Sequence, residues 1–400
     1  MRKVQPQCLV VALVLAGSAC GSNDAAPPGD QADGAAEVAD APDSADVGDI
    51  ADSSDGGLDP LDADGADGAD RPDAGDGIAE TNEASDTADS DVANGPSWRW
   101  ERVGDLPSVL QEHSALTLDG AIYLLGGFEN LTLVSAVRTW SPESETFGAG
   151  PDLPRALHHL NAAAADGRLW VLGSLEGFNF AATADSWVLD PDAAAPAWSP
   201  VSAMPSSRRR GSASVAVVVD DVYVLGGFRG GAVAECDVYR TGLDRWDALP
   251  PLPEARDHAG AATIDGKVYL VGGRQGAIGS VEADLWRLDP DDTEAGWVAL
   301  NPMPTARGGI AVGVVAGPAG APRLVVVGGE GNTAAESGVF AQVEAYDPAT
   351  DTWASLPPMP APRHGMQAAG LGSRLFVPGG ADVEAFGATK RFDVLSFVAE

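Results

Sequence analysis

The sequence contains five histidines, and all of them occupy one kind of position. Each lies four to six residues after one of a series of regularly spaced prolines, at His113, His158, His159, His258 and His364. Histidine can act as a general acid or base near neutral pH. Because the five recur at equivalent places, the sequence predicts that they lie in one set of loops.

Arginines follow the same prolines. Four of them lie three residues after a proline, at Arg208, Arg256, Arg307 and Arg363. This regular recurrence indicates a structural role, such as a salt bridge between repeats. Four others do not recur: Arg209, Arg210, Arg229 and Arg274. A guanidinium can hold a carboxylate through two parallel hydrogen bonds, so for these four both anion binding and a solvated surface position remain open.

Motifs of the common hydrolases and metalloenzymes do not occur. The sequence lacks G-x-S-x-G, C-x-x-C and H-E-x-x-H. Outside the N-terminal segment the chain has a single thiol, Cys236, in a strand-like stretch where burial as a small hydrophobe is expected. The motifs therefore assign no catalytic residue, no cofactor and no metal, and the question of enzymatic activity stays open.

Charge argues against one class of partner. The 400 residues contain 59 Asp or Glu and 24 Lys or Arg, a formal net charge of -35. A nucleic-acid-binding protein needs a basic surface to neutralise phosphates. We therefore expect no nucleic-acid partner.

The first residues are typical of an export signal. A short basic start, Met1-Arg2-Lys3, precedes an apolar run, CLVVALVLA at 8–16, which is too short to span a bilayer. Residues 1–19 are predicted to be a signal peptide. The small residues before Cys20 resemble a bacterial lipoprotein signal, which implies lipidation of Cys20; an ordinary cleavage site is the alternative. The expected location is the outer membrane or cell surface, with the periplasm as second choice, and membrane contact only through the lipid.

A long acidic segment follows. Residues 21–97 contain no Phe, Trp or Tyr and are dominated by Asp, Ala and Gly. Such a composition cannot bury enough apolar surface to offset the entropy of ordering. Residues 20–97 are predicted to be a disordered linker that acts as an extended stalk; calcium binding by its Asp residues is the alternative.

The rest of the chain, residues 98–400, is built from six repeats of about fifty residues. Glycine doublets after apolar strands begin at Gly126, Gly226, Gly272, Gly328 and Gly379, and Gly173-Ser174 is a variant. An aromatic residue lies seven residues before a proline in every repeat, at Trp100, Phe147, Trp198, Trp246, Trp297 and Trp353. Each repeat has signals for four short strands, so the pattern predicts six stacked antiparallel sheets arranged as a propeller.

The doublets, together with the segment from Tyr346-Asp347-Pro348 to Trp353 and the following Leu-Pro-Pro-Met-Pro, resemble the Kelch repeat over residues 98–400. The resemblance implies an all-β, six-bladed Kelch propeller. The last repeat stops without a fourth strand, whereas residues 98–106 have a fourth strand's features. We expect the N-terminal strand to complete the sixth blade and close the ring, which removes two open sheet edges.

The resemblance also implies a site. In Kelch propellers the loops after the doublets and the loops between blades surround one mouth of the central channel, where partners bind. The implied ligand-binding residues are Arg209, Arg210, Arg229, Arg274, Phe228, His159, His258 and Asn332. We expect the four arginines and Phe228 to converge on one side of the mouth and to bind carboxylates or acidic sugars.

The predicted function is therefore an exported, lipid-anchored binding or protein-interaction module at the bacterial cell surface or in the periplasm. Its ligand would be a protein or a carbohydrate. One alternative is a sugar mutarotase or epimerase similar to the Kelch enzyme acting on N-acetylneuraminate, using Glu129, Glu176 or Glu330 as acid and base; another is a structural envelope component. A copper oxidase of the galactose oxidase type is disfavoured, because no Tyr falls in the mouth loops.

Overall fold

The computed structural model describes residues 97–399, which contain 26 β-strands and, within that range, no α-helix. The predicted signal peptide, Cys20 and almost all of the predicted linker lie outside the described residues. Among the described residues there is no helix long and apolar enough to cross a bilayer.

Six four-stranded antiparallel sheets form the blades of a propeller, and the innermost strands line a central channel. The sixth blade includes the first strand of the chain, β1 (Ser97–Leu110). Blade 1 comprises β2 (Ser114–Leu118), β3 (Ala121–Leu125), β6 (Val137–Ser141) and β7 (Thr146–Ala149). A small hairpin after its glycine doublet comprises β4 (Phe128–Glu129) and β5 (Thr132–Leu133).

The next four blades follow in chain order. Blade 2 comprises β8 (Ala162–Ala165), β9 (Arg168–Glu176), β10 (Ala181–Leu189) and β11 (Ser199–Pro200). Blade 3 comprises β12 (Ser214–Val218), β13 (Asp221–Leu225), β14 (Cys236–Arg240) and β15 (Arg245–Leu249). Blade 4 comprises β16 (Gly260–Ile264), β17 (Lys267–Val271), β18 (Leu285–Leu288) and β19 (Val298–Leu300). Blade 5 comprises β20 (Ala311–Ala316), β21 (Pro322–Val327), β22 (Val343–Asp347) and β23 (Thr352–Ser355).

Blade 6 confirms the predicted closure. It comprises β24 (Ala369–Leu371), β25 (Arg374–Pro378), β26 (Thr389–Val398) and, as its outer strand, β1. The first and last strands of the propeller pair antiparallel, with Trp98 opposite Phe397 and Trp100 opposite Leu395. The predicted all-β, six-bladed propeller is therefore confirmed, and its ring is closed by hydrogen bonds between the two ends of the domain.

Adjacent blades share apolar cores. One cluster contains Ile122 and Trp140 of blade 1 together with Phe376 and Phe392 of blade 6, and each of the other five blade interfaces has its own cluster. A blade alone could not bury both faces, so these clusters explain why the repeats stack. Cys236 belongs to the cluster between blades 3 and 4, where burial raises its pKa to about 12.

The glycine doublets bring neighbouring blades together. Gly226 has a φ of +59°, and a Cβ there would lie 2.5 Å from the carbonyl oxygen of Arg256 in the loop entering the next blade. The following glycine, Gly227, donates its N–H to that same carbonyl at 2.7 Å. Glycine is required because the left-handed backbone and the close approach leave no space for a side chain.

Four buried arginines fix the loops between blades, and a structural role was predicted for three of them, whereas in the third blade it was predicted for Arg208. Their side chains are fully buried at Arg210, Arg256, Arg307 and Arg363. Arg307 illustrates the arrangement, because it donates to the carbonyl of Gly328 at 2.8 Å and pairs with Glu344 at 2.5 Å. These partners belong to the blade that the loop enters, so the expected salt bridge between repeats is instead made within one blade.

Candidate functional site

The mouth of the propeller is built on a ring of six backbone hydrogen bonds. One residue per blade contributes, just before the innermost strand: Glu112, His159, Ser212, His258, Gly309 and Gly365. Each has a left-handed φ between 49° and 61°. Each N–H donates to the carbonyl of the preceding member, at 2.6 to 3.4 Å, and Glu112 closes the circle on Gly365. The ring therefore places six residues around the channel, of which four have side chains.

Three of those side chains meet at one point. Glu112, His159 and His258 line both the central channel, a cavity of about 230 Å³, and a smaller cavity of about 90 Å³ on the mouth side. His159 Nε2 lies 2.9 Å from His258 Nε2 and 3.1 Å from a carboxylate oxygen of Glu112. All three side chains are almost completely buried, with 5%, 8% and 12% exposure for His159, His258 and Glu112.

Neighbouring groups fix the orientation of both imidazoles. His258 Nδ1 lies 2.5 Å from an Asp257 oxygen and 2.9 Å from Ser212 Oγ. His159 Nδ1 lies 2.5 Å from Nδ1 of His158. The rings of His158 and His159 are held edge to face, 4.7 Å apart, so their nitrogens have little freedom to turn away.

Arg274 forms the charged side of the mouth. Its guanidinium donates to Asp257 at 2.9 Å, to His258 Nε2 at 3.0 Å and to Glu330. Glu330 also lies 3.2 Å from His364 Nδ1. Because Arg274 is already paired with two buried carboxylates, it is not free to bind an acidic ligand without breaking those contacts.

Burial controls protonation in this cluster. Desolvation raises the pKa of Glu112 above its ordinary value and lowers the pKa of His159 well below 6.5. The pKa of His158 falls to about 4 for the same reason. Burial opposes ionisation of Asp257, but hydrogen bonds and charge from His258 and Arg274 outweigh it and lower its pKa. The imidazoles of His158 and His159 are therefore neutral at physiological pH.

The opposite side of the mouth is aromatic. Phe128 is fully buried and contacts Phe178 and Phe386, with ring centroids 5.6 and 5.5 Å away. Phe178 and Phe386 are nevertheless 47% and 40% exposed. Phe180 packs edge to face on His158, with centroids 4.9 Å apart. The loops of blades 6, 1 and 2 thus place an apolar rim beside the buried polar cluster.

The structure brings together only part of the predicted site. His159, His258 and Arg274 line the mouth cavity. Arg209 is exposed and donates to its neighbour Ser206 O, whereas Arg229 pairs with Glu235 at 2.5 Å. Of the four arginines expected to converge, Arg274 alone lines either of the two cavities.

Arg210 does not line the mouth, contrary to the prediction. Its guanidinium is fully buried in blade 3, where it donates to Gly226 O at 2.6 Å and pairs with Asp237 at 2.8 Å. Two extra residues after Pro205 shift the register, so Arg210 and not Arg208 takes the buried position in this repeat. Arg208 lies alongside and reaches the same carboxylate at 2.7 Å.

Two further predicted residues hold the loops that contain them. Phe228 is half-buried and bridges the backbones of Gly211 and Ala232. The Asn332 side chain donates to Val339 O at 3.0 Å and accepts from the N–H of Ala334. Neither residue lines the mouth cavity.

The acid and base residues suggested for a mutarotase are also engaged. Glu129 pairs with Arg138, and Glu176 pairs with Arg155 at 3.0 Å. Glu330 does line the mouth, but it is 2% exposed and pairs with Arg274.

Glu112 belongs to a loop that the resemblance places at the mouth, but it is not among the implied ligand-binding residues, although the sequence contains a signal for it. Counting back from the first glycine of each doublet, the ring residue lies fourteen positions earlier in five repeats, as Glu112 does from Gly126 and His258 does from Gly272. In the fifth repeat the distance is nineteen, because the turn between β20 and β21 is longer. Counted forward from the prolines, the ring residue lies five positions later in five repeats and seven in the third, so either landmark reveals the alignment.

Comparison with known proteins identifies the repeat. The Kelch motif matches residues 255–304 and 318–360. The chain is similar to the Kelch-like protein terF of Aspergillus terreus, with 33% identity over 71% of this chain and 52% of the relative. It is also similar to mouse Kelch-like protein 35 and human Kelch-like protein 34, with 29% and 32% identity.

These matches cover parts of longer proteins. The two mammalian relatives are matched over 46% and 41% of this chain and over 29% and 24% of their own lengths. The chain thus spans about half of the fungal relative and less than a third of the mammalian ones. The Kelch motif matches lie within blades 4 and 5 and the segments that flank them.

Proposed function

We propose that this Kelch-repeat propeller is a protein-interaction module that binds its partner at the aromatic side of the mouth. The observation that carries the proposal is the exposure of four large apolar side chains on the mouth loops of three adjacent blades: Leu131, Phe178, Val383 and Phe386, at 63%, 47%, 42% and 40%. These side chains are still in contact with water in the folded chain. Burying them against a partner would stabilise the complex by about 25 cal/mol per Å² of apolar surface.

The arrangement of this rim supports a macromolecular partner. Phe178 and Phe386 lie 6.4 Å apart and both contact buried Phe128, so packing within the folded chain supports both rings. Rigid aromatics of this kind dominate the energetics of protein interfaces. The buried ion pairs beside them do not offer a free cation, so an apolar protein surface suits the rim better than an acidic ligand.

Site-specific photo-crosslinking tests this proposal. A photoreactive residue at Phe178 or Phe386 in the full chain should give a discrete adduct of higher mass in the native organism. Val219 provides a matched control, because it is 90% exposed and lies in the turn between β12 and β13, at the other end of the sheet. Adducts that form equally from Val219, or from neither rim position, would count against binding at this rim.

We also propose that the module is exported and anchored by a lipid on Cys20, with residues 20–97 as the tether. The support is the basic and apolar start of the chain and the small residues before Cys20. Wild type should fractionate with membranes and Cys20→Ser should be released. Protease added to intact cells then separates a surface location from a periplasmic one. If both proteins fractionate as soluble, the anchor proposal fails.

A further inference from the structure

We infer that Glu112, His159 and His258 form a binding site for a divalent transition-metal ion at the neck between the mouth and the central channel. The first support is distance. Ligands 2.0–2.2 Å from one ion lie roughly 3 Å from one another. The two imidazole Nε2 atoms are separated by 2.9 Å and the nearest Glu112 oxygen lies 3.1 Å from His159 Nε2. All three donor atoms lie within 4.8 Å of one another.

The second support is the position of the imidazole protons. His158 Nε2 lies 3.0 Å from the carbonyl of Gly177, to which it can only donate, so His158 Nδ1 must accept. The proton shared between His158 and His159 therefore belongs to Nδ1 of His159. This leaves a lone pair on His159 Nε2.

The same reasoning applies to His258. Its Nδ1 faces the Asp257 carboxylate at 2.5 Å and donates to it, which leaves a lone pair on His258 Nε2. A carboxylate that orients a ligating histidine in this way is a common outer-shell partner in metal sites. Two nitrogen lone pairs and a carboxylate oxygen thus point at one another, an arrangement that repels unless a cation stands between them.

The third support is charge. The buried carboxylates of Glu112, Asp257 and Glu330 are accompanied by one guanidinium, Arg274. Arg274 pairs with Asp257 and Glu330, whereas the carboxylate of Glu112 faces His159. A buried carboxylate without a cationic partner is costly, and a metal ion can supply that partner.

One protein cation already approaches the site. Arg274 Nη2 donates to His258 Nε2 at 3.0 Å, while its other nitrogens hold Asp257 and Glu330. Metal binding requires that this single contact be released while the other two remain. Two imidazoles and one carboxylate suit Zn²⁺ and other first-row divalent ions, and three protein ligands leave a coordination position for water or a ligand.

The experiment uses tag-free full-length protein. After loading with Zn²⁺ and dialysis against metal-free buffer, elemental analysis should show close to one equivalent of zinc per chain. Glu112→Gln and His258→Ala should weaken zinc affinity by at least about 100-fold, since even outer-shell losses cost 10–100-fold. Co²⁺ should give the visible absorption of a nitrogen and oxygen site, and that band should be lost in both variants.

His364→Gln is the matched control, because His364 is a buried mouth histidine outside the triad and should leave the zinc content unchanged. A wild type without zinc, or zinc retained equally by all variants, overturns the inference; the latter result would place the ion on the acidic residues of 20–97. A proton held between Glu112 and His159 would then be the occupant of the gap. Crosslinking at Phe178 and Phe386 is a separate measurement, so the two proposals fail independently.

Discussion

At the residue scale, Arg307 shows how one buried side chain can hold a loop to the blade that follows it. Its guanidinium is fully buried and bonds the carbonyls of Thr305 and Gly328 as well as Glu344. Burial lowers its pKa and the Glu344 charge opposes that shift. Removing either partner of this pair would leave the other buried without its contact.

The first prediction follows from that pair. Arg307→Met should lower the free energy of unfolding by about 3–5 kcal/mol, because Glu344 would remain buried without its counter-ion. Arg209→Met is the control, since Arg209 is exposed and bonds one neighbouring carbonyl, and it should change stability by less than about 0.5 kcal/mol. Urea denaturation monitored by tryptophan fluorescence measures both. Equal midpoints would show that the buried pair contributes little.

A second residue-scale prediction concerns acid. His113 is 2% exposed, neither ring nitrogen has a hydrogen-bond partner among the described residues, and burial lowers its pKa to about 3. In the unfolded chain His113 therefore becomes protonated below about pH 6.5, whereas in the folded chain it becomes protonated only near pH 3. Stability should fall as pH falls across that window, by about 1.4 kcal/mol per unit from this group.

The His113→Leu variant tests the expected fall in stability with falling pH. The variant cannot bind the proton in either state, so its stability should fall less steeply than that of wild type between pH 6.5 and 3. Parallel curves for the two proteins would mean that His113 is protonated in the folded state.

At the element scale, the outer strands are tied to the preceding blades by tryptophan. Trp198, Trp246, Trp297 and Trp353 each donate their indole N–H to a carbonyl 44 to 52 residues earlier in the chain. Trp100 of β1 does the same across the closure, to Pro357 O at 2.9 Å. The repeated Trp is thus a hydrogen-bonding link between blades as well as part of their core.

Trp100 offers a graded test of this link. Trp100→Phe should cost about 1 kcal/mol for the lost hydrogen bond, and Trp100→Ala about 3 kcal/mol, near the lower end for a large core side chain because Trp100 is half-buried. Thermal or urea unfolding of the two variants measures the difference. If Phe costs as much as Ala, the indole N–H dominates and the packing contribution is small.

The repeats could be read from sequence for a physical reason. The glycine doublets and the Trp positions each meet a backbone or hydrogen-bond requirement that few other residues satisfy, so they recur and reveal six blades. The mouth could not be read in the same way. Arg210 lies sixteen residues before Gly226, as Arg256 does before Gly272, so counting from the doublets identifies it as one of the recurring buried arginines. Arg274 has no arginine counterpart in the other repeats, and only the structure shows that it meets Asp257 and Glu330 from neighbouring loops.

On the scale of the whole molecule, ring closure decides whether sheet edges are exposed. β1 covers β26 from Ser97 opposite Val398 to Leu110 opposite Thr389, and the backbone ring at the mouth closes at the same place through Glu112 and Gly365. Closure of the ring therefore depends on blade 6, whose strands come from both ends of the domain. The other five blades are each continuous in sequence.

We expect a variant that lacks residues 98–106 to self-associate. The outer edge of β26 would lose its partner, and an unpaired edge strand is a template for pairing with another chain. Size-exclusion chromatography with light scattering should show species of higher mass per particle than the intact protein forms under the same conditions. A synthetic peptide of residues 97–106 should reverse the association and restore the unfolding midpoint. A peptide of the same composition in scrambled order should do neither. Only the native order places Trp98 and Trp100 opposite Phe397 and Leu395. A truncated protein that associates no more than the intact protein and has an unchanged midpoint would show that the ring does not depend on β1.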